Sequence, residues 1–262
     1  MSDYELTFGR GQQALENGES ADAIRLFRKV LEAAPQHVEA QFLLAEALVD
    51  NGQLNDAVTV LEGLIAADPG HLDAQFLLGD TFFELGRSDE ACRIYRAIAE
   101  NAPDEIDAFI SLGLVHFHND QFDQAEQCYQ QALQKEPDSV FALNSLGDLC
   151  FAQGRYDEAK DCYVKASKID PDDPQGYFNL AEFHYDNGDL NEAGRLCREA
   201  IRCASEFAFA YLTLGNICLD QDLTQEAVQS FQQFLRLEKS PTSAAIREEV
   251  SALLEGLTNE LS

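Results

Sequence analysis

Five prolines, Pro35, Pro69, Pro103, Pro137 and Pro171, stand 34 residues apart without a break. Alanines keep the same beat at Ala23, Ala57, Ala91, Ala125, Ala159, Ala193 and Ala227. A fixed period of this length marks a repeat array, in which one small supersecondary unit stacks on copies of itself. Dividing the chain on this beat gives repeats at 4–37, 38–71, 72–105, 106–139, 140–173, 174–207 and 208–241, followed by a tail at 242–262.

Within each repeat, apolar residues recur three, four and seven apart in two runs, which is the spacing of one helical face. The runs are separated by turn pairs such as Asn17-Gly18, Asn51-Gly52, Leu85-Gly86, Gln153-Gly154 and Asn187-Gly188. The pattern predicts two amphipathic helices per repeat, A and B. The prolines fall where helix B must stop, because proline cannot continue the backbone hydrogen-bond ladder and restricts the residue before it.

Charge narrows the class of partner. Acidic residues outnumber basic ones 47 to 18, a formal net charge of −29, which excludes nucleic acid and anionic membrane surfaces on electrostatic grounds and favours a basic partner. The start, Met1-Ser2-Asp3-Tyr4-Glu5, is acidic and lacks the profile of a secretory leader, and no apolar run reaches the roughly 18 residues that span a bilayer. The expectation is a soluble, cytoplasmic protein. Seven cysteines (Cys92, Cys128, Cys150, Cys162, Cys197, Cys203 and Cys218) form an odd set with no C-x-x-C spacing, so they read as reduced structural thiols without metal.

The pattern resembles the tetratricopeptide repeat over almost the whole chain. Leucine and a small residue stand at the seventh and eighth positions as Leu44-Ala45, Leu78-Gly79, Leu112-Gly113, Leu146-Gly147, Leu180-Ala181 and Leu214-Gly215. The alanine beat occupies the twentieth position, and the aromatic four residues on is Phe27, Tyr95, Tyr129, Tyr163 or Phe231. The resemblance implies an all-α, right-handed α-solenoid of seven helix-turn-helix units. Departures sit at the ends. Arg10 replaces the packing leucine of the first repeat, Ser205 replaces proline in the sixth, and proline is delayed to Pro241 in the seventh, so irregular junctions are expected there. In the tail, Ile246, Val250, Leu253, Leu254, Leu257 and Leu261 share one helical face, which predicts a capping helix over 242–262.

The resemblance further implies that A helices line a concave surface, with the second, fifth, sixth, ninth, twelfth and thirteenth positions facing inward. Those positions hold the aromatics Phe42, Phe76, Phe83, Phe117, Phe151, Phe178 and Tyr185, expected to form an exposed apolar floor. Between them stand Glu46, Asp50, Asp80, Glu84, Asp148, Glu182 and Asp186, expected to be solvated, and beside them Glu39, Asp73, Asp107 and Asp220. Asn144, Asn179 and Asn216 add amides that can donate to and accept from a peptide backbone, as inward asparagines do in family members that grip extended peptides. Lysines and arginines lie almost entirely outside the A helices, Arg10 excepted, whose position packs between helices. The family's lysine-based clamp for acidic carboxyl termini is missing, since no fifth position is lysine.

No catalytic reading survives. The chain carries no phosphate-binding loop, nucleophile elbow or zinc-protease motif. His116 and His184 take a core-facing position, His37 and His71 recur between repeats, and His118 faces the groove alone. The sequence therefore describes a non-enzymatic adaptor without cofactor, holding a basic, partly apolar segment of another protein. The alternatives are a self-assembling structural scaffold, or a regulatory subunit that recruits a separately encoded enzyme.

Overall fold

His37, His71, Glu105, Ser139, Asp173 and Phe207, each 34 residues after the last, precede six A helices with ψ between 85° and 116°, so the 34-residue beat of the sequence becomes a beat of backbone conformation. A computed structural model describes residues 3–260. Its helices are α1 (Asp3–Glu16), α2 (Ser20–Ala33), α3 (Val38–Asp50), α4 (Leu54–Ala67), α5 (Leu72–Glu84), α6 (Ser88–Asn101), α7 (Ile106–His118) and α8 (Phe122–Lys135). They continue as α9 (Val140–Ala152), α10 (Tyr156–Ile169), α11 (Pro174–Asp186), α12 (Leu190–Cys203), α13 (Ala208–Asp220), α14 (Thr224–Leu237) and α15 (Ala244–Glu260). No strand occurs among the described residues. The fold is an all-α helical solenoid.

The helices gather into two compact halves, one ending at Lys135 and the other starting at Glu136. Within each half every helix packs on the next, and A helices also touch the A helix of the following hairpin, as in α1 with α3, α3 with α5, α9 with α11 and α11 with α13. The alanine beat is the reason the hairpins close: all seven alanines are fully buried.

Close approach inside a hairpin follows a volume rule. Gly11, Gly79, Gly113, Gly147 and Gly215 each lie beneath the ring of Phe27, Tyr95, Tyr129, Tyr163 and Phe231 respectively. A methyl group on Gly79 would come within 2.6 Å of the Tyr95 ring, far inside van der Waals contact. Where the eighth position is Ala45 or Ala181, the residue sixteen further on is the smaller Leu61 or Cys197. Glycine with tyrosine or phenylalanine and Ala45 with Leu61 fill nearly the same summed volume, as a close-packed interior requires, whereas Ala181 with Cys197 is smaller.

The A-to-B turn needs a left-handed residue. Five hairpins supply glycine, from Gly18 to Gly188, with φ between 71° and 77°. The other two use Asp120 (φ 58°) and Asp222 (φ 60°), since a short polar side chain tolerates this region better than most.

Three expectations at the ends are corrected. The junction after α12 is regular despite Ser205, with the same four-residue link as between α6 and α7. In two other links the carbonyl of the proline accepts a side chain six residues on: Gln41 Nε2 donates to Pro35 O at 2.8 Å and Gln75 Nε2 to Pro69 O at 2.7 Å. Tyr211 donates to Ser205 O at 3.2 Å in the same way, so the ring itself is dispensable. Arg10 is exposed instead of packed between helices. In the tail, a 3-10 turn at Pro241–Ser243 precedes α15. Val250 is buried, with Leu254 and Leu257 packed on the same core, whereas Ile246 and Leu253 are exposed and Leu261 lies outside the described residues.

Candidate binding surface

In the N-terminal half two fifth-position rings, Phe8 and Phe42, rest on the caps of the next A helix. His37 Nδ1 accepts from Ala40 N, and His71 Nδ1 from Ala74 N, each at 3.2 Å, satisfying one of the free N–H groups of a helix start. Phe8 packs on His37 with ring centroids 4.7 Å apart, and Phe42 on His71 at 5.3 Å. Phe76 meets Tyr95 at 6.3 Å, Phe83 meets His118 at 5.2 Å, and Phe117 meets both His118 and Phe122 at 5.8 Å. These phenylalanines are half-buried. The expected bare apolar strip is thus a row of ring pairs, each showing one edge to water, and His118 is not alone.

Around these rings Glu39, Asp50, Asp73, Glu84 and Asp107 are exposed, as solvated acids should be. Glu46 and Asp80 differ. Glu46 is half-buried, and burial first, then the charges of Asp50 and Asp73, hold its carboxyl above the ordinary value. Asp80 accepts from the Tyr95 hydroxyl at 2.5 Å. Desolvation raises its pKa while that hydrogen bond lowers it, and desolvation prevails. Water still reaches Asp80, which is exposed as a residue, so the desolvation comes from protein mass around a hollow and not from sealing.

The C-terminal half adds further side-chain hydrogen bonds to its ring pairs. Asp148 Oδ1 accepts from Tyr163 Oη at 2.8 Å and from Asn179 Nδ2 at 3.3 Å. Asn179 Oδ1 accepts from Gln175 Nε2 at 2.6 Å. Glu182 Oε1 accepts from Thr213 Oγ1 at 2.7 Å, and Asp220 Oδ2 from Tyr185 Oη at 2.8 Å. Burial pushes Asp148 and Glu182 above the ordinary carboxylate range, against the lowering effect of these hydroxyl donors. Burial, then the bond to Asp220, raises Tyr185 to about 12. Asp186 is exposed. Phe178 packs edge-on against Phe207 at 5.1 Å, and Phe151 against Tyr156 at 5.4 Å and Phe183 at 6.4 Å.

The asparagines are placed differently from a row of free amides. Asn144 is 5% exposed and Asn179 9%, and the amide of Asn179 is spent on Asp148 and Gln175. Asn144 Nδ2 reaches Asp173, the cap of α11, at 3.4 Å. Asn216 is half-buried.

Two features escaped the sequence reading. Phe141, 55% exposed, stands at the second position, where the N-terminal half carries Glu39, Asp73 and Asp107; reading that row to its end would have found it. The donors to the ninth-position acids also carry a signal. Asn179 and Thr213 each stand 31 residues after the acid they serve, and Ser111, 31 residues after Asp80, lies against the Tyr95 hydroxyl.

Other titratable groups serve packing. His116, 7% exposed, has Nδ1 2.6 Å from Gln121 Oε1, and His184 Nδ1 lies 3.4 Å from Asp189. Cys128, Cys150, Cys197 and Cys218 are buried; burial raises Cys128 to about 11 and Cys197 to about 12, away from the reactive thiolate. Among the described residues no cluster of three or more histidines, cysteines or acids could hold a metal ion, and no helix is long and apolar enough to cross a membrane.

Sequence profiles described as tetratricopeptide repeat match residues 14–68, 43–106, 106–139, 128–161, 179–206 and 210–245, and one described as TPR repeat matches 147–188. Among curated proteins, none matches the chain. Among solved structures, a tetratricopeptide repeat protein from Parabacteroides merdae is similar at TM-score 0.76 and 18% identity, covering 96% of this chain and 98% of its own. The MamA protein is similar at TM-score 0.55 and 26% identity, over 64% of this chain and 92% of its own. A chain of the APC/C hetero-tetramer Cut9-Hcn1 is similar at TM-score 0.66 and 18% identity, over 95% of this chain and 49% of its own.

Proposed function

Because the chain belongs to the tetratricopeptide-repeat family, whose repeats are protein-interaction modules and typically not catalytic, we propose that it is a non-enzymatic adaptor. Its A helices receive a basic, partly apolar segment of another protein. The observation that carries this reading is the segregation of charge and rings. The A-helix faces of both halves present Glu46, Asp50, Asp80, Glu84, Asp148, Glu182 and Asp186 beside the edges of Phe42, Phe76, Phe83, Phe117, Phe151, Phe178 and Tyr185. The cations lie chiefly on B helices and are tied up locally, as in Arg87 with Glu90 and Arg195 with Glu192, both at short range. Acids steer a basic segment and ring edges anchor it.

The test is affinity capture with the wild type beside a Glu46→Lys, Asp80→Lys, Glu84→Lys variant, followed by binding of the captured partner at rising salt. Attraction between exposed charges fades beyond about 8 Å at physiological ionic strength, so both the reversal and 0.5 M salt should weaken binding while helicity is kept. Undiminished binding in either case would make the acids a solubility feature.

One observation favours a second reading, self-association. On α2, Arg25, Arg28 and Lys29 line a hollow of about 770 Å³ with Ile24, Asn51 and Glu32, a concentration of cations on a strongly acidic chain although Arg25 and Arg28 also pair with Asp22 and Asp56. Light scattering after size exclusion decides it: a self-assembling scaffold elutes above 29.1 kDa, and an adaptor that works alone does not.

A further inference from the structure

The first and last helices are finished differently from those between them. In α3, α5, α7, α11 and α13 the seventh-position leucines (Leu44, Leu78, Leu112, Leu180 and Leu214) are buried, as are the residues four places before and three places after each. That stripe of an A helix rests on the hairpin before it: α3 packs on α2, α5 on α4 and α13 on α12, and Leu78 shares a hollow with Ile65 of α4. On α1 the same stripe is Leu6, Arg10 and Gln13, all exposed. The bare surface continues on α2. Arg93 and Ile94 of α6 face α4 in that hollow; their counterparts 68 residues earlier are Arg25 and Leu26, and Lys29 stands one turn on along the same face. Arg25 is paired with Asp22 at 3.0 Å, whereas Arg10 and Lys29 form no ion pair among the described residues.

The last helix has the opposite character. α15 packs on α14 through Val250, Leu254 and Leu257. Its outward side carries Glu248, Glu249 and Glu255, with the small residues Ala245, Ala252 and Gly256 among them and exposed Ile246 and Leu253 at their edge. The three acids form no ion pair among the described residues. The one cation of the helix is withdrawn, since Arg247 is half-buried and donates to Glu238 O at 3.4 Å.

From this complementarity we infer that the chain assembles head to tail, with α15 of one copy lying on α1 and α2 of the next. The inference rests on the self-association reading above and assigns its two surfaces. A second copy fits because each surface supplies what the other lacks: cations around Leu6 on one, acids beside Ile246 and Leu253 on the other. Like surfaces repel, Arg10 against Lys29 or Glu248 against Glu255, and so a symmetric pairing is disfavoured while an unlike one is steered together. The small residues of α15 leave room for the larger Leu6 and Leu26 to approach. A contact made by two different surfaces leaves one of each free after every addition, so assembly continues until a ring closes or a filament runs on.

The experiment is size exclusion with light scattering on the full chain in about 0.15 M salt, where a Debye length of about 8 Å screens distant charges but spares contacts inside an interface. The wild type should exceed 29.1 kDa, with a mass that rises with concentration. Leu6→Glu with Arg10→Glu disables one surface, and Ile246→Asp with Leu253→Asp the other. All four residues are exposed, so helicity should be kept, and each variant alone should elute at 29.1 kDa. Mixed in equal amounts they should form a dimer of twice 29.1 kDa and nothing larger, since each brings one intact surface. Charge reversal gives a second arm that touches only solvated residues and stands if an apolar variant loses helicity. Arg10→Glu with Lys29→Glu, or Glu248→Lys with Glu255→Lys, should each abolish assembly, and all four changes in one chain should restore it. A wild type at 29.1 kDa at every concentration would overturn both this inference and the self-association reading. A larger mass that the variants leave unmoved, a mixture that stays monomeric, or reversals that fail to rescue one another would overturn the head-to-tail surfaces alone.

Discussion

The two halves of the chain meet the same geometric demand with different chemistry. From α1 to α8, the row beside the acids is built of ring pairs, Phe8 on His37, Phe42 on His71 and Phe83 on His118. From α9 to α15, ring pairs recur, Phe178 on Phe207 and Phe151 on Phe183, and beside them amides, hydroxyls and carboxylates are wired to one another, Gln175 to Asn179 to Asp148 and Thr213 to Glu182. Ring pairs hold a face together through dispersion and tolerate small shifts. A hydrogen-bonded face fixes the direction of every acceptor, and leaves a partial bond when one member is lost.

The largest effect expected ignores this contrast and probes what the halves share. Gly79→Ala and Gly147→Ala drive a methyl group into Tyr95 and Tyr163, and each should cost about 2–3 kcal/mol of stability in denaturant unfolding. Pairing Gly147→Ala with Tyr163→Leu, which reproduces the Ala45 and Leu61 arrangement, should recover most of the loss. If the second change does not rescue the first, the volume rule fails.

Next in size is a test of the difference. Asp148→Ala strands two donors, the Tyr163 hydroxyl and the Asn179 amide, and should cost about 2 kcal/mol; Asp80→Ala strands only Tyr95 and should cost about 1 kcal/mol. Equal losses would mean the C-terminal network adds nothing to its parts. His71→Ala removes a cap and the partner of Phe42, for about 1 kcal/mol, while His71→Asp should recover the cap part, because aspartate accepts the same N–H.

Acid sharpens the contrast between function and fold. Glu46, Asp80, Asp148 and Glu182 all have carboxyls raised above their ordinary values, for which burial is the first cause. A carboxyl with a raised folded-state pKa binds protons more tightly folded than unfolded, so its contribution to stability grows as pH falls through the raised value. Glu90, Glu158 and Glu192 have the opposite sign: hydrogen bonds from Arg87, Arg155 and Arg195 lower them, and their contribution is lost only as pH falls through those depressed values. Lowering pH from 7 into the window just above the ordinary carboxylate values should therefore weaken binding of a basic segment before the melting temperature declines. Parallel titrations of binding and of melting check it; loss of both together would refute the assignment of the raised acids to the binding surface. The smallest expected effect is at the turns, where Asp120→Gly and Asp222→Gly relieve a left-handed residue and should each add about 0.5 kcal/mol.

Much of the fold was legible because period and position carry it. The prolines, the alanine beat and the turn glycines report backbone events that recur at fixed intervals, and a helix start such as Val38 or Leu72 follows from them. What was hidden depends on neighbours 31 residues away or on another helix. Nothing local to Asp148 announces that Tyr163 and Asn179 share its Oδ1, and nothing local to Phe42 announces the ring of His71 beneath it, so solvated acids and bare rings were the natural expectation. Ser205 misled for a related reason: the link after α12 is tied to the next helix through a carbonyl that accepts from Tyr211, and every residue has a carbonyl.

The glycine beneath each aromatic ring has a consequence for how such a chain can change over time. The two members of a pair lie sixteen residues apart in one hairpin, so a crossover between two repeats that falls between them would join, for instance, Ala181 to Tyr163, and produce a clash. A crossover at the proline-bearing links keeps every pair intact. The links are therefore the seams at which whole hairpins can be duplicated, lost or exchanged, and the span from Gly147 to Tyr163 is the smallest indivisible block of inheritance in its repeat.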